Sequence, residues 1–204
     1  ITRLETDSIF DNIFLEKKLL TLIKPPLFDV EIDMMYATPN NFTGQIIYNT
    51  NKCFLHPDAA ECLKVAISLA AELKLKICIF DAFRPISAQF SLWKHCPDPA
   101  FVADPKKGSP HSRGVALDIT LINNTNGEPL DMGGEVDDLS PKGAHGYREV
   151  SAKAQKNRML LLGLMATAGF DHYLNEWWHY QLYNTKDYPL IDNIDINTNL
   201  ENDD

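Results

Sequence analysis

The sequence has no apolar run approaching the about 20 residues that a membrane-spanning helix needs. It also lacks an excess of basic residues: 19 Lys and Arg stand against 28 Asp and Glu, which gives a formal net charge of −9. Because nucleic acids and anionic membranes both favour a cationic face, this balance argues against either one as the main partner. A hydrophobic content of 45% excludes a disordered chain. A soluble, acidic, globular protein is therefore expected.

The cysteines lack a C-x-x-C pair, which argues against a zinc ribbon or a thioredoxin-like motif. The four residues are Cys53, Cys62, Cys78 and Cys96. They could form two disulfides or remain buried thiols, and the sequence favours neither state. The cysteine content therefore leaves the cellular compartment open.

Internal repeats, heptads and low-complexity linkers are absent from the middle of the chain, so a single domain is predicted. We assign residues 25–190 to this domain. Residues 1–24 are predicted to form an N-terminal helical extension, because apolar residues recur at helical spacing over 8–23 and stop at Pro25-Pro26. Residues 191–204 are rich in Asn and Asp and are predicted to form a polar acidic tail.

Hydrophobic periodicity predicts a mixture of helices and short strands. The predicted helices cover 57–74, 86–95 and 150–168. The predicted strands cover 28–36, 76–80, 115–121, 170–174 and 176–183. Two long loops are predicted, at 97–110 and 122–146, and loops of this length in a compact domain are often functional. Because no regular βαβ order is present, the predicted fold class is α+β, a small and mainly antiparallel sheet flanked by helices.

Two short segments carry the residues with the most chemistry, Ser109-Pro-His-Ser-Arg-Gly-Val-Ala-Leu-Asp118 and Glu176-Trp-Trp-His179. A catalytic zinc ion takes three protein ligands from His, Asp and Glu and keeps one position open. His111, Asp118 and His179 could supply these ligands, and Glu176 could accept a proton from water. Residues three apart in a regular strand point to opposite faces. Glu176 can therefore share a site with His179 only if it precedes the regular strand.

Several of these residues have simpler explanations. Asp118 lies in an apolar strand, where a salt bridge to Arg84 or Arg113 would also satisfy it. The two tryptophans are expected in the core or in a pocket wall. The remaining histidines are expected at the surface or in hydrogen bonds, with His145 in the long loop as a reserve ligand.

The order of the motifs resembles that of the D-alanyl-D-alanine dipeptidases of the VanX type. These zinc peptidases share a fold with the D-Ala-D-Ala carboxypeptidases and the hedgehog signalling domain. The resemblance runs from about residue 29 to residue 189. Three further motifs contribute to it: Tyr36-Ala-Thr-Pro-Asn-Asn-Phe-Thr-Gly44, Asp81-Ala-Phe-Arg-Pro85 and Leu130-Asp-Met-Gly-Gly-Glu-Val-Asp137.

The resemblance implies a hydrolase with one Zn²⁺ per chain, held by His111, Asp118 and His179. It implies that Glu176 is the general base and that Arg84 steadies the oxyanion of the tetrahedral intermediate. Catalysis is therefore expected to depend on residues from three separate segments.

Tyr36, Ser109 and Asp137 match positions that line the dipeptide pocket in the resembling family. The implied substrate is D-Ala-D-Ala, hydrolysed to two D-Ala in peptidoglycan metabolism, and a part in glycopeptide resistance stays open. Asp137, with Glu176 nearby, could receive the ammonium group, and Arg84 or a loop donor could receive the carboxylate.

Two alternatives to a dipeptidase stay open. One is a DD- or LD-carboxypeptidase or endopeptidase that acts on peptidoglycan stems, and the other is a non-catalytic zinc-binding interaction domain. The resemblance implies a bacterial protein and favours the cytoplasm over the periplasm. It gives no indication of oligomeric state.

Overall fold

The structure is a computed structural model that describes residues 20–191. These residues contain seven strands: β1 (Thr21–Ile23), β2 (Glu31–Ile32), β3 (Cys53–Leu55), β4 (Leu75–Asp81), β5 (Ala116–Asn123), β6 (Phe170–His172) and β7 (His179–Leu182). The same part of the chain contains three α-helices: α1 (Pro57–Glu72), α2 (Ile86–His95) and α3 (Ala152–Ala168). The predicted α+β class is confirmed.

Five of the strands form one sheet in the order β2-β4-β5-β7-β6. Strand β2 runs parallel to β4, and every other pairing in this sheet is antiparallel. Strands β1 and β3 form a separate antiparallel ribbon. In the large sheet Asp118 of β5 stands opposite Asp81 of β4 on one side and His179 of β7 on the other. The register therefore places three polar residues in one row across the sheet.

The helices follow their sequence signals closely. Helix α1 begins at Pro57, as predicted, and the ring of His56 accepts a hydrogen bond from the amide of Asp58 at its start. The hydroxyl of Ser151 caps α3 by accepting from the Ala154 amide. Helix α3 ends at Gly169, whose φ of +104° satisfies the left-handed C-terminal position predicted for it. Helices α1 and α3 pack against each other beside the sheet.

The prediction of an N-terminal helix over 8–23 is wrong at its C-terminal end. Residues 8–19 lie outside the described part of the chain, but Thr21–Ile23 form strand β1. Ile23 is fully buried and pairs with Cys53 in the β1–β3 ribbon. The cause is a tertiary contact, because local periodicity carries no information about a partner strand 30 positions further along the chain.

Other boundaries of strands and of the tail also differ from the predicted ones. The strand predicted over 28–36 is reduced to Glu31–Ile32, because Met35–Ala37 turn into a short 3₁₀ helix. The last predicted strand, 176–183, begins only at His179. Ile191, predicted as the start of the tail, is only 5% exposed, and its amide donates to the Ser112 carbonyl. Packed structure therefore reaches at least to this residue.

All four cysteines are free thiols in the structure. Cys53 and Cys78 are buried, as packed thiols in the core would be, and the other two are half-buried. Among residues 20–191, no helix has the length and apolar character needed to cross a membrane.

Candidate metal centre and substrate pocket

Three ligand-type side chains converge at the end of strands β5 and β7. His111 opens a 3₁₀ turn (His111–Arg113) just before β5, Asp118 lies in β5, and His179 is the first residue of β7. Nε2 of His111 lies 3.2 Å from Nδ1 of His179, and the Asp118 carboxylate lies 3.4 Å and 3.1 Å from these two atoms. Ligands bound at about 2.0–2.1 Å with tetrahedral angles are about 3.3 Å apart, so these separations fit a single zinc-sized ion.

Hydrogen bonds on the far side of each ring fix the histidine tautomers. Nδ1 of His111 donates to the Ala82 carbonyl at 2.7 Å, and Nε2 of His179 donates to Oε1 of Gln181 at 3.0 Å. In the neutral rings, the two nitrogens that face each other at 3.2 Å are then both unprotonated. Two lone pairs at this distance repel each other unless a cation lies between them. The donor set therefore fits a divalent metal ion whose ligands are oriented by outer hydrogen bonds.

Asp118 is charged despite its burial. Burial by itself would raise the pKa of this carboxyl, but the charges that His111 and His179 carry when they are protonated hold it well below its usual range. Arg84 adds a positive charge 3.4 Å from the same carboxylate. A buried anion flanked by Arg84, His111 and His179 is a suitable ligand for a metal ion. Asp118 therefore makes the salt bridge to Arg84 and also lies next to the two histidines, so the salt bridge does not exclude a role as a metal ligand.

Glu176 lies in the turn before β7, where the spacing argument requires it to be. Its amide donates to the Tyr173 carbonyl, and its carboxylate lies 3.8 Å from Nδ1 of His179. Burial raises the pKa of Glu176 to about 8. A carboxylate with a raised pKa is a stronger base than an exposed one, which suits proton transfer near neutral pH.

Arg84 follows β4 and is buried with its charge compensated. Its Nε donates to Oδ2 of Asp81 at 2.8 Å, and its Nη1 donates to Oε1 of Gln89 at 3.0 Å. Burial opposes the charge of the guanidinium, but Asp81 and Asp118 keep its pKa well above the ordinary value. The guanidinium also lies 5.2 Å from the centre of the Tyr36 ring. It is therefore a fixed, permanently charged donor.

The three predicted pocket residues lie around the same centre. Tyr36 donates its hydroxyl hydrogen to Asp137 at 2.8 Å. Burial and the charge of Asp118 raise the pKa of Asp137 to about 7. The hydroxyl of Ser109 accepts from the His111 amide, so this residue also shapes the turn that carries His111.

All eight predicted site residues line a single cavity of about 290 Å³. Its remaining wall is largely apolar and includes Phe42, Leu139, Trp178 and the segment 99–103. A small cavity with an apolar wall and converging charged groups is the usual form of a site for a small polar ligand. Trp178 is thus a pocket-wall residue, as the sequence suggested.

Sequence reasoning missed residues that support the site. Asp81 is 1% exposed and accepts hydrogen bonds from Tyr48, from the Ala82 amide and from Arg84. Its signal was a carboxylate at the end of an apolar strand, the same signal that drew attention to Asp118. Gln181 orients His179, and its signal was the two-residue spacing that puts both side chains on one face of β7.

His145, the reserve ligand, lies outside the group of converging ligands. Its ring packs 5.2 Å from that of His172. Burial, with the nearby charges of His172 and Arg158, lowers the pKa of His145 to about 4. It is therefore a neutral, packed histidine.

Gly114 sets the geometry of the turn that carries His111. Its φ is +69°, and an added Cβ would lie 2.7 Å from Leu20 and 3.0 Å from the His56 amide. We therefore expect Gly114→Ala to lower the free energy of unfolding by about 1–3 kcal/mol, measured by urea denaturation. Gly146→Ala is the matched control, because a Cβ there meets nothing within 4 Å. Equal stabilities of the two variants would contradict this explanation.

Two histidines and an aspartate with a nearby buried glutamate are the arrangement of a metal-dependent hydrolase. Comparison with known proteins agrees with this class. A family profile described as D-ala-D-ala dipeptidase, of the M15 peptidases, matches residues 17–195, and the chain belongs to this family.

Several relatives share the same description. A D-alanyl-D-alanine dipeptidase of Escherichia coli K12 is 43% identical over 164 residues, which are 80% of this chain and 84% of the relative. The dipeptidase of the same name from Streptomyces coelicolor is 34% identical, over 74% of this chain and 84% of its own length. That from Enterococcus faecium is 31% identical, over 79% of this chain and 90% of its own length.

Proposed function

We propose that this protein is a zinc-dependent dipeptidase that hydrolyses D-Ala-D-Ala to two molecules of D-Ala. The observation that carries the proposal is the convergence of a three-ligand cluster, a buried carboxylate and a buried guanidinium on one small cavity. The names of the relatives support the choice of substrate. A direct test is the release of D-Ala from D-Ala-D-Ala by the zinc-loaded protein. Absence of hydrolysis at full zinc occupancy would contradict the proposal.

One Zn²⁺ per chain is assigned to His111, Asp118 and His179. Zinc bound there would act as a Lewis acid and would lower the pKa of a water molecule to about 7. The absence of cysteine from this donor set argues against a purely structural zinc site, since such sites are usually four-coordinate and rich in cysteine.

Glu176 is assigned as the general base. It accepts a proton from the attacking water and then passes it to the amine that leaves. Its burial supports this role, because burial raises the pKa of Glu176, and a more basic carboxylate takes a proton from water more readily and can then pass it to the amine. Arg84 is assigned to the oxyanion that forms on the carbonyl oxygen, with its charge maintained by Asp81.

The ends of the dipeptide need partners of opposite charge. We assign the ammonium group to Asp137, which accepts a hydrogen bond from Tyr36 at Oδ2 and has Oδ1 as a second acceptor for the substrate. The carboxylate is assigned to Ser109, whose hydroxyl accepts from the His111 amide and therefore keeps its own hydrogen for donation. A half-buried Asp137 without a cationic partner would penalise ligands that lack a free amine.

Zinc binding can be tested apart from catalysis. We expect the metal-free protein to take up one zinc per chain, and Asp118→Ala to weaken the zinc affinity by about 100-fold or more, because a charged ligand is lost. Competition with a chromophoric chelator measures both affinities. Asp171→Asn, a change of a partly exposed aspartate in the neighbouring strand β6, is the control. An unchanged affinity in Asp118→Ala would remove this residue from the ligand set.

A further inference from the structure

A glutamine amide is buried in helix α2. Gln89 is 1% exposed and shares the buried face of this helix with Ala88 and Leu92. An amide removed from water is costly unless both of its ends find hydrogen-bond partners. The hydrogen-bond partners of Gln89 therefore indicate the role of its buried amide.

Each end of the Gln89 amide has one partner. Its Oε1 accepts from Nη1 of Arg84 at 3.0 Å, and its Nε2 donates to the carbonyl of Ala103 at 2.7 Å. The amide thus bridges the charged donor of the pocket and the polypeptide segment 99–103 that forms one wall of the cavity.

Gln89 completes the fixation of the Arg84 guanidinium. Nε and Nη2 are engaged by the carboxylate of Asp81, and Nη2 also lies 3.4 Å from Asp118. Among residues 20–191, Gln89 is the acceptor bonded to Nη1. Because a guanidinium is planar and Nη1 carries two hydrogens, this contact leaves the other hydrogen for the cavity that Arg84 lines.

The wall segment is held at a second point. The hydroxyl of Tyr173, which also lines the cavity, donates to the Ala100 carbonyl at 3.1 Å. Between these two bonds Val102 is buried in the core. Of these contacts, the bond from Gln89 to Ala103 is the one that links the wall to the residue bonded to Arg84.

We propose that Gln89 is a positioning residue that aims the free Nη1 hydrogen of Arg84 at the oxyanion and ties the guanidinium to the cavity wall at Ala103. This inference rests on the proposed function and extends it to a residue outside the cavity lining. It predicts two separable effects, one on kcat through Arg84 and one on KM through the wall.

Two substitutions separate these effects. Gln89→Met has a similar shape but makes neither hydrogen bond, so we expect kcat to fall by about 10- to 100-fold, a fraction of the full value of an oxyanion donor. Gln89→Glu keeps an acceptor for Arg84 but loses the donor to Ala103. We expect its kcat to stay within about threefold of the wild type and its KM to rise by about tenfold.

Two readouts distinguish positioning from a general loss of structure. The affinity for a phosphinate analogue of the dipeptide, which carries a tetrahedral oxyanion, should fall in Gln89→Met by the same factor as kcat/KM. Zinc content should not change in either variant. Gln155→Met is the matched control. Gln155 is a half-buried glutamine of helix α3 that donates to the Tyr147 carbonyl, and it does not line the cavity.

The outcomes decide the proposal. A kcat of Gln89→Met within twofold of the wild type would overturn it, and so would an equal loss of kcat in both variants. If Gln89→Met does not fold, Gln89→Glu decides alone: a raised KM with preserved kcat supports the proposal, and a large loss of kcat contradicts it. Failure of the proposed function is recognised separately, because the wild-type protein would then release no D-Ala.

Discussion

Glu176→Gln is expected to lower kcat for D-Ala-D-Ala by about 10³-fold while the zinc content stays at one ion per chain. The amide has nearly the same shape as the carboxylate but cannot accept a proton from water. Glu176 is not among the three converging ligands, so the substitution leaves the donor set intact. Steady-state D-Ala release and metal analysis of the same sample measure the two quantities.

Glu135→Gln is the control for this prediction, since it makes the same chemical change at an exposed position of the long loop. We expect its kcat to equal that of the wild type. Retention of more than about a tenth of the activity in Glu176→Gln would contradict its assignment as the general base, because general bases contribute at least about 10²-fold.

Arg84→Lys is expected to lower kcat by about 10²-fold, again with zinc retained. Lysine keeps a positive charge beside the buried Asp81, but it lacks the planar fork that reaches Asp81 and Gln89 at once. The donor aimed at the oxyanion is therefore lost. A kinetic comparison of kcat and of the phosphinate affinity tests this reasoning.

Lysine is preferred to alanine at this position because it limits the damage to folding. Removal of the charge would leave Asp81 buried and unpaired, a change that costs about 3–5 kcal/mol when a buried pair is broken. Arg148→Lys, at an exposed site, is the matched control. A kcat for Arg84→Lys within about threefold of the wild type would show that the planar donor is not needed.

Local sequence pattern indicates part of the candidate site, whereas the roles of Arg84, Tyr36, Ser109 and Asp137 follow only from the resemblance to the dipeptidase family. Asp118 is an acid inside an apolar strand, and His111 and Glu176 stand in short motifs next to turns. The requirement that Glu176 precede the regular strand came from strand geometry alone, and β7 does begin after it.

The remaining features depend on contacts that no local pattern carries. Residues 21–23 continue a helical pattern in the sequence but form strand β1, because the pairing of β1 with β3 joins distant parts of the chain. Gln89 carries no local signal in the sequence, because a glutamine in a helix is ordinarily a surface residue. Gln89 donates to the backbone carbonyl of Ala103, and because any residue type has this carbonyl, the sequence does not identify the partner.

The most direct test of the central claim compares D-Ala release from free D-Ala-D-Ala with release from its N-acetylated form, using the zinc-loaded wild-type protein. Acetylation removes the ammonium charge and leaves the scissile bond and the carboxylate unchanged. We predict hydrolysis of the free dipeptide and at least about 10²-fold slower hydrolysis of the acetylated one, because the half-buried Asp137 would be left without a cationic partner. Equal cleavage of both substrates, or cleavage of only the acetylated one, would contradict a dipeptidase and indicate a carboxypeptidase.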